Sequence, residues 1–154
     1  MSETRWLTPS EERLWRSWVR LHAEMSTALH QQLTTDSGLS AADYAVLVPL
    51  SEASGGVLRS RELREEIAWD RDRLSHQVRR MEKRGLVSRE DCPDDARASM
   101  VRITDDGRAA IAAAAPGHLA ATRRAFFDHL SDDEQATLND VCERLLANLA
   151  EPSD

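Results

Sequence analysis

The sequence predicts a mainly helical protein with one small β-hairpin. Ala and Leu supply 39 of the 63 hydrophobic residues, whereas Val and Ile supply 11, so the composition favours helices over strands. Hydrophobic residues recur at three- and four-residue steps along most of the chain, and a strand-like pattern interrupts them once. A length of 154 residues suits a single domain, and we expect it to span residues 1–154.

The first two helices are marked by their N-terminal signals. Thr8-Pro9-Ser10-Glu11 combines the spacing of a capping box with Pro at the first helical position. The apolar pattern then continues to Asp36-Ser37-Gly38, which predicts a helix long enough to form an interface. Ser40 with Asp43 opens a second helix, which we expect to end near Ser54-Gly55-Gly56.

Two shorter helices follow, and a tight turn separates them. Ser60 is expected to cap the third helix, which carries Leu63 and Ile67. Asp70 is expected to cap the fourth, which ends at Gly85.

After Gly85 the hydrophobic period changes to that of strands. Leu86-Val87-Ser88-Arg89 and Met100-Val101-Arg102-Ile103 are predicted as two short strands, joined by a turn-rich stretch over residues 91–99. A short helix, a turn, a second helix and a hairpin make up a winged helix-turn-helix, in which the second helix enters the major groove of DNA.

Two helices complete the chain. Thr104 can cap a fifth helix, with a kink expected at Pro116-Gly117 and an end near Leu130. Ser131 and Glu134 form another capping box that starts the last helix. Its apolar stripe comprises Leu138, Val141, Leu145, Leu146 and Leu149.

Charge is unevenly distributed in this acidic chain. The net charge is −7, yet residues 71–89 contain seven basic and two acidic side chains. At 100° per residue, Leu74, Val78 and Met81 of the fourth helix point to one side, so a polar and basic face lies opposite. The candidate DNA-binding residues of this helix are Arg71, Asp72, Arg73, Ser75, His76, Arg79, Arg80 and Lys83. A solvated face without any partner would show the same charges.

Three stretches of the chain resemble MarR-family transcriptional regulators, and the resemblance extends over nearly the whole chain. They are LSAADYAVLVPLSEA, SRELREEIAWDRDRLSHQVRRMEKRGLVSRE and CPDDARASMVRITDDGRAAI. The most specific match lies in the wing, where Asp95 and Arg97 fit the Asp-x-Arg pattern of the family. The resemblance implies that Arg97 reaches the minor groove and that Asp95 orients it. The chain departs from the family at residues 98–100, where a second basic residue is often found.

The resemblance also implies a homodimer bound to double-stranded DNA. Residues 39–104 would form the DNA-binding lobe, and residues 8–36 and 105–150 would form the dimerisation helices. We expect a ligand-responsive repressor of a palindromic operator, with a small aromatic or anionic effector. The candidate pocket residues are Trp15, Trp18, His22 and Tyr44. For each of them, ordinary packing in the core is the alternative interpretation.

Other classes of function lack their sequence signals. The His and Cys residues have no metal-ligand spacing, and GxSxG, HExxH and phosphate-binding glycine loops are absent, so we expect no metal, no cofactor and no enzyme activity. No apolar run approaches the length of a membrane span, and the charged N-terminus does not resemble a signal peptide, so we expect a cytoplasmic protein. The alternative is an acidic helical module that binds a protein partner and no DNA.

Overall fold

The computed structural model describes residues 4–150 and, of residues 96 and 97, the backbone alone. The ends of the predicted domain 1–154 and the side chain of Arg97 therefore lie outside the described residues. The helices within this range are α1 (Pro9–Ser37), α2 (Ala41–Glu52), α3 (Ser60–Glu66), α4 (Arg71–Lys83), α5 (Asp105–Ala125) and α6 (Asp132–Ala150). The strands are β1 (Val57–Arg59), β2 (Val87–Cys92) and β3 (Asp95–Ile103). The predicted fold class, mainly helical with a small wing, is confirmed.

Most helices start at the capping residues that the sequence indicates. At α1 the Glu11 N–H donates to Thr8 Oγ1 at 3.3 Å, and the Thr8 N–H donates to Glu11 Oε2 at 2.7 Å. At α4 Asp70 Oδ1 accepts from the Arg73 N–H at 2.8 Å. Side-chain caps are also confirmed at Ser40, Thr104 and Ser131.

The predicted cap of α3 is wrong. Ser60 is the first residue of the helix, and the N-cap is Arg59, whose N–H donates to Glu62 Oε2 at 3.1 Å. The Ser60 hydroxyl instead lies 2.7 Å from the hydroxyl oxygen of Ser99 on β3. Ser60 therefore connects α3 to the wing.

The wing belongs to a three-stranded antiparallel sheet rather than to an isolated hairpin. β3 is central and pairs with both neighbours, with Val57 opposite Arg102 on the β1 side. A strand of three residues is too short for its period to be recognised, and β1 was not predicted. The predicted turn over residues 91–99 is too long, because β2 continues to Cys92 and β3 begins at Asp95.

The C-terminal helices differ from the prediction in one boundary. α5 continues through Pro116 and ends at Ala125, and a single 3₁₀ turn over Phe127–His129 follows before α6. The expected end near Leu130 is therefore wrong by five residues.

The chain divides into two compact units, of which the first ends at His118 and the second begins at Leu119. The core of the first unit brings together α1, α2, α3, α4, the sheet and the start of α5. Its fully buried side chains include Leu33, Leu47, Leu50, Leu63, Met81 and Val101. Within the described part of the chain, no helix is long and apolar enough to span a membrane.

Candidate nucleic-acid interface

The turn between α3 and α4 fixes the direction in which α4 leaves the core. Ala68 adopts a left-handed conformation with φ 54°, and the Trp69 N–H donates to the Arg64 carbonyl at 3.0 Å. Trp69 is half-buried against the core, and the Cζ atom of Arg73 lies 4.1 Å from the centroid of its ring. Trp69 therefore packs as a wedge at the turn and supports an arginine of α4.

α4 separates apolar from charged side chains as its sequence predicts. Leu74, Val78 and Met81 are buried, which confirms the predicted core side. Ser75 is half-buried at the edge. The other candidate DNA-binding residues of the helix are exposed, namely Arg71, Asp72, Arg73, His76, Arg79, Arg80 and Lys83.

One ion pair lies within the wing, and another connects the wing to α4. The Arg102 guanidinium pairs with Glu90 at 2.5 Å and also donates to the Gly55 carbonyl at 3.0 Å. The hydrogen bond from Arg102 lowers the pKa of Glu90 below its usual value. Arg89 pairs with Glu82 of α4 at 3.0 Å. Asp95, opposite Cys92 in the ladder, is exposed at the start of β3.

A groove of about 530 Å³ lies between α3, α4 and the wing. Leu74, Val78 and Val101 form part of its apolar floor. Its lining includes five arginines: Arg59, Arg61, Arg64, Arg71 and Arg89. One carboxylate, Asp95, also lines the groove, so its charges are predominantly positive. A concave surface of this kind concentrates the potential that attracts phosphate.

The arginines of this groove, apart from Arg71, were missed among the candidate site residues. Along the sequence their charges are offset by neighbours such as Glu62 and Glu65, and Arg61 does pair with Glu65 at 2.8 Å. The net charge of residues 59–66 therefore conceals the three arginines of that stretch, whereas Arg89 falls in the basic window of residues 71–89 but outside the candidate helix. Their convergence with Arg89 depends on the tertiary fold.

A buried carboxylate connects α2 to α4. Asp43, with 1% of its surface exposed, accepts at Oδ1 from Gln77 Nε2 and at Oδ2 from Arg84 NH1, both at 2.7 Å. Burial would raise the pKa of Asp43, but hydrogen bonds from Ser40 and the Arg84 guanidinium outweigh it and hold the pKa below its ordinary value. Asp43 is therefore ionised at neutral pH.

Comparison with known proteins identifies the family. A model of the MarR family matches residues 37–98. The chain is 39% identical to Sco3205, a MarR family transcriptional regulator from Streptomyces coelicolor solved in complex with DNA, over 99% of this chain and 95% of that one, with a TM-score of 0.92. This chain belongs to the MarR family.

It is also similar to two other regulators of Streptomyces coelicolor. AbsC is 34% identical over 95% of this chain and 98% of that one, with a TM-score of 0.90. PcaV, solved with its natural ligand, is 27% identical over 98% of this chain and 100% of that one, with a TM-score of 0.72.

The aromatic residues expected to line an effector pocket do not converge within one chain of this MarR family member. Trp18 stacks on His22 with ring centroids 6.4 Å apart, whereas Tyr44 packs against His118 at 4.5 Å. His118 Nδ1 lies 3.0 Å from Gln32 Oε1. Gln32 is 14 positions after Trp18 on α1, which is about 21 Å along the helix axis. Tyr44 of α2 is thus linked, through His118, to the C-terminal part of α1, whereas Trp18 lies in the N-terminal half of that helix.

The Tyr44 and His118 rings occupy a half-buried part of the first unit. Burial raises the pKa of the Tyr44 hydroxyl and lowers the pKa of the His118 imidazole. Trp15 is 59% exposed and Trp18 is 48% exposed in the single chain. The alternative interpretation, ordinary packing in the core of one chain, therefore does not apply to these two residues.

Among residues 4–150, no group of three His, Cys, Asp or Glu side chains is arranged to hold a metal ion.

Proposed function

We propose that this MarR family protein is a homodimeric repressor that binds a palindromic operator and releases it when a small effector binds. The observation that carries the proposal is the exposed basic face of α4 beside a groove lined with arginines. Arg and His at such a face can reach base edges in the major groove, and the remaining cations can bind phosphates. The proposed contacts from α4 are Arg71, Asp72, Arg73, Ser75, His76, Arg79, Arg80 and Lys83. Asp95 and Arg97 act from the wing.

In this proposal, DNA binding and dimerisation are assigned to different parts of the chain. Residues 39–104 bind DNA, and residues 8–36 and 105–150 form the dimer. Support for the dimer comes from large apolar side chains that a single chain leaves exposed, such as Leu14 on α1 and Leu149 on α6. A second copy is the occupant that suits them, because a palindromic site requires two recognition helices related by two-fold symmetry, about 34 Å apart.

The proposed effector is a small aromatic or anionic molecule. PcaV, a relative over the full length of this chain, binds a natural ligand, and this supports a ligand-responsive mechanism here. Tyr44 with half-buried His118 offers an aromatic wall and a polar group, and Trp15, Trp18 and His22 supply the other candidate wall. Binding that favours a different separation of the two lobes would lower DNA affinity through a coupling free energy.

Selection from a random DNA pool with the purified protein tests the proposal. We expect a palindrome whose half-sites are one helical turn apart. The logarithm of the binding constant for that duplex should fall linearly with the logarithm of salt concentration, with a slope of about −0.9 for each phosphate contacted. Arg79→Ala should weaken binding, while Arg20→Ala, which removes an exposed charge paired with Glu24 on α1, should not. Recovery of no preferred duplex, with binding insensitive to salt, would favour the module that binds a protein partner.

A further inference from the structure

The buried contacts of Asp43 extend to one arginine on the exposed face of α4. Gln77 is only 2% exposed, and its Nε2 donates to Asp43 Oδ1 at 2.7 Å. Its Oε1 accepts from the guanidinium of Arg80. Arg80 is exposed, one helical turn from His76 and two turns from Arg73 on the same flank of α4.

The charge of Asp43 dictates how the Gln77 amide is oriented. An ionised carboxylate only accepts hydrogen bonds, so the NH₂ group of Gln77 faces Asp43 and the amide oxygen faces Arg80. Asp43 on α2 thus orients the Gln77 amide so that its oxygen accepts from the Arg80 guanidinium.

The same carboxylate is tied to the end of α1. Arg84 donates through NH1 to Asp43 Oδ2 at 2.7 Å and through NH2 to the Gly38 carbonyl at 3.3 Å. Gly38 is the left-handed C-cap of α1, with φ 71°. A continuous chain of hydrogen bonds therefore leads from the junction of α1 and α2 to a cation of the recognition helix.

We propose that Asp43 is a positioning residue for DNA recognition, which orients the Arg80 guanidinium through Gln77 and ties it to the junction of α1 and α2. This inference rests on the proposed function, because it takes α4 as the helix that contacts DNA.

Asp43→Asn tests the proposal in a double-mutant cycle with Arg80→Ala. Arg84 and the Ser40 N–H both donate to Asp43 Oδ2, so the amide oxygen of the Asp43→Asn variant faces them and its NH₂ group faces Gln77. The Gln77 amide then flips to accept from this NH₂ group and presents its own NH₂ to Arg80. We expect Asp43→Asn to weaken binding to the selected duplex by about tenfold, and to cause no further loss when Arg80 is already Ala. Adding Gln77→Glu to Asp43→Asn should restore binding, because a carboxylate at position 77 accepts from both the new amide and Arg80.

The control is Glu11→Gln, which removes the carboxylate of another capping box, at α1, and should leave DNA affinity unchanged. Thermal unfolding establishes that each variant is folded. If Asp43→Asn does not fold, Gln77→Met removes the middle contact alone and must show the same dependence on Arg80.

Two results would overturn the proposal alone: an equal loss with and without Arg80, or no restoration by Gln77→Glu. A wild-type protein that binds no selected duplex would instead overturn the proposed function, and this inference with it.

Discussion

Gly107, in the first turn of α5, lies directly against the carbonyl of Leu86. A Cβ atom on Gly107 would be 2.1 Å from the Leu86 oxygen and 2.9 Å from Ile103 Cγ1. The same carbonyl accepts from the Thr104 N–H at 3.1 Å, so the start of α5 is held close to the start of the wing. This approach leaves no room for a side chain at position 107.

We predict that Gly107→Ala lowers the free energy of unfolding by about 1–3 kcal/mol, although Ala is the better helix former, because the new methyl group meets backbone. Gly117→Ala in the same helix is the matched control. Its Cβ would meet only Gln32 Nε2 at 3.5 Å and Asp36 Oδ2 at 4.0 Å, so it should raise stability by up to about 1 kcal/mol. Urea unfolding followed by circular dichroism measures both, and a Gly107→Ala protein as stable as wild type would contradict the prediction.

The lowered pKa of Asp43 predicts a pH-dependent contribution to stability. The unfolded chain binds the Asp43 proton more readily than the folded chain, so this stability is present above the unfolded pKa of about 3.9 and is lost as the pH falls through the folded pKa. We expect Asp43→Asn to cost about 1.5–3 kcal/mol at pH 7, and the difference from wild type to shrink below about pH 4. Urea unfolding between pH 7 and pH 3 measures the difference, and one that stays constant over this range would argue against an ionised Asp43.

We predict that Leu149→Glu prevents dimerisation without unfolding the chain. Leu149 is 78% exposed in the single chain, so the carboxylate costs little there but is buried in the proposed dimer. The dissociation constant of the dimer should rise by about 30-fold or more, as measured by sedimentation. Asp140→Lys, an exposed position on the opposite side of α6 from Leu149, serves as the control. An intact wild-type protein that is monomeric at micromolar concentration would refute the dimer itself.

We predict that Arg79→Ala and His76→Ala each cost about 1–3 kcal/mol of binding on the selected operator, and less on unrelated DNA. Both side chains are exposed on the side of α4 opposite Leu74 and Val78, where base edges are in reach. Affinities on matched and scrambled duplexes at one salt concentration give the comparison. Leu74→Asp should unfold the lobe, and it serves as the control for a loss of DNA affinity that is caused by misfolding. Equal losses on both duplexes would make the two residues phosphate contacts.

Arg97→Ala should weaken binding most where the operator is flanked by A·T-rich sequence. A narrow A·T minor groove attracts an inserted arginine more strongly than a wider G·C one. Titration of operators that differ only in the flank measures the effect, and an unchanged affinity on both would remove the wing arginine from the interface.

Local signals in this sequence predicted local structure well. Thr8, Ser40 and Asp70 cap helices because their hydrogen-bond partners lie three residues away, and Leu74, Val78 and Met81 are buried because the helical period puts them on one side.

Contacts between distant residues could not be predicted in this way. The helical period puts Gln77 on the side of Leu74 and Met81, but nothing near it in sequence shows what satisfies a buried amide there, because its partner Asp43 lies 34 residues away. Ser60 is a residue type that commonly caps the N-terminus of a helix, but its hydroxyl is hydrogen-bonded to that of Ser99. In each case the deciding partner is supplied by tertiary packing, which periodicity does not encode.

Lys83 is the single lysine of the chain, and every other basic residue except histidine is an arginine. Guanidinium groups remain protonated at any pH that the fold withstands and do not react with acylating reagents. Besides the α-amino group, an acylating reagent therefore meets one amine, and that amine is exposed on α4. The extent of acylation at Lys83, read by mass spectrometry, would report directly how much of the recognition helix is covered by DNA. Because Lys83 is the single lysine, it is also the one side chain at which acetylation of a lysine can remove a positive charge from the surface.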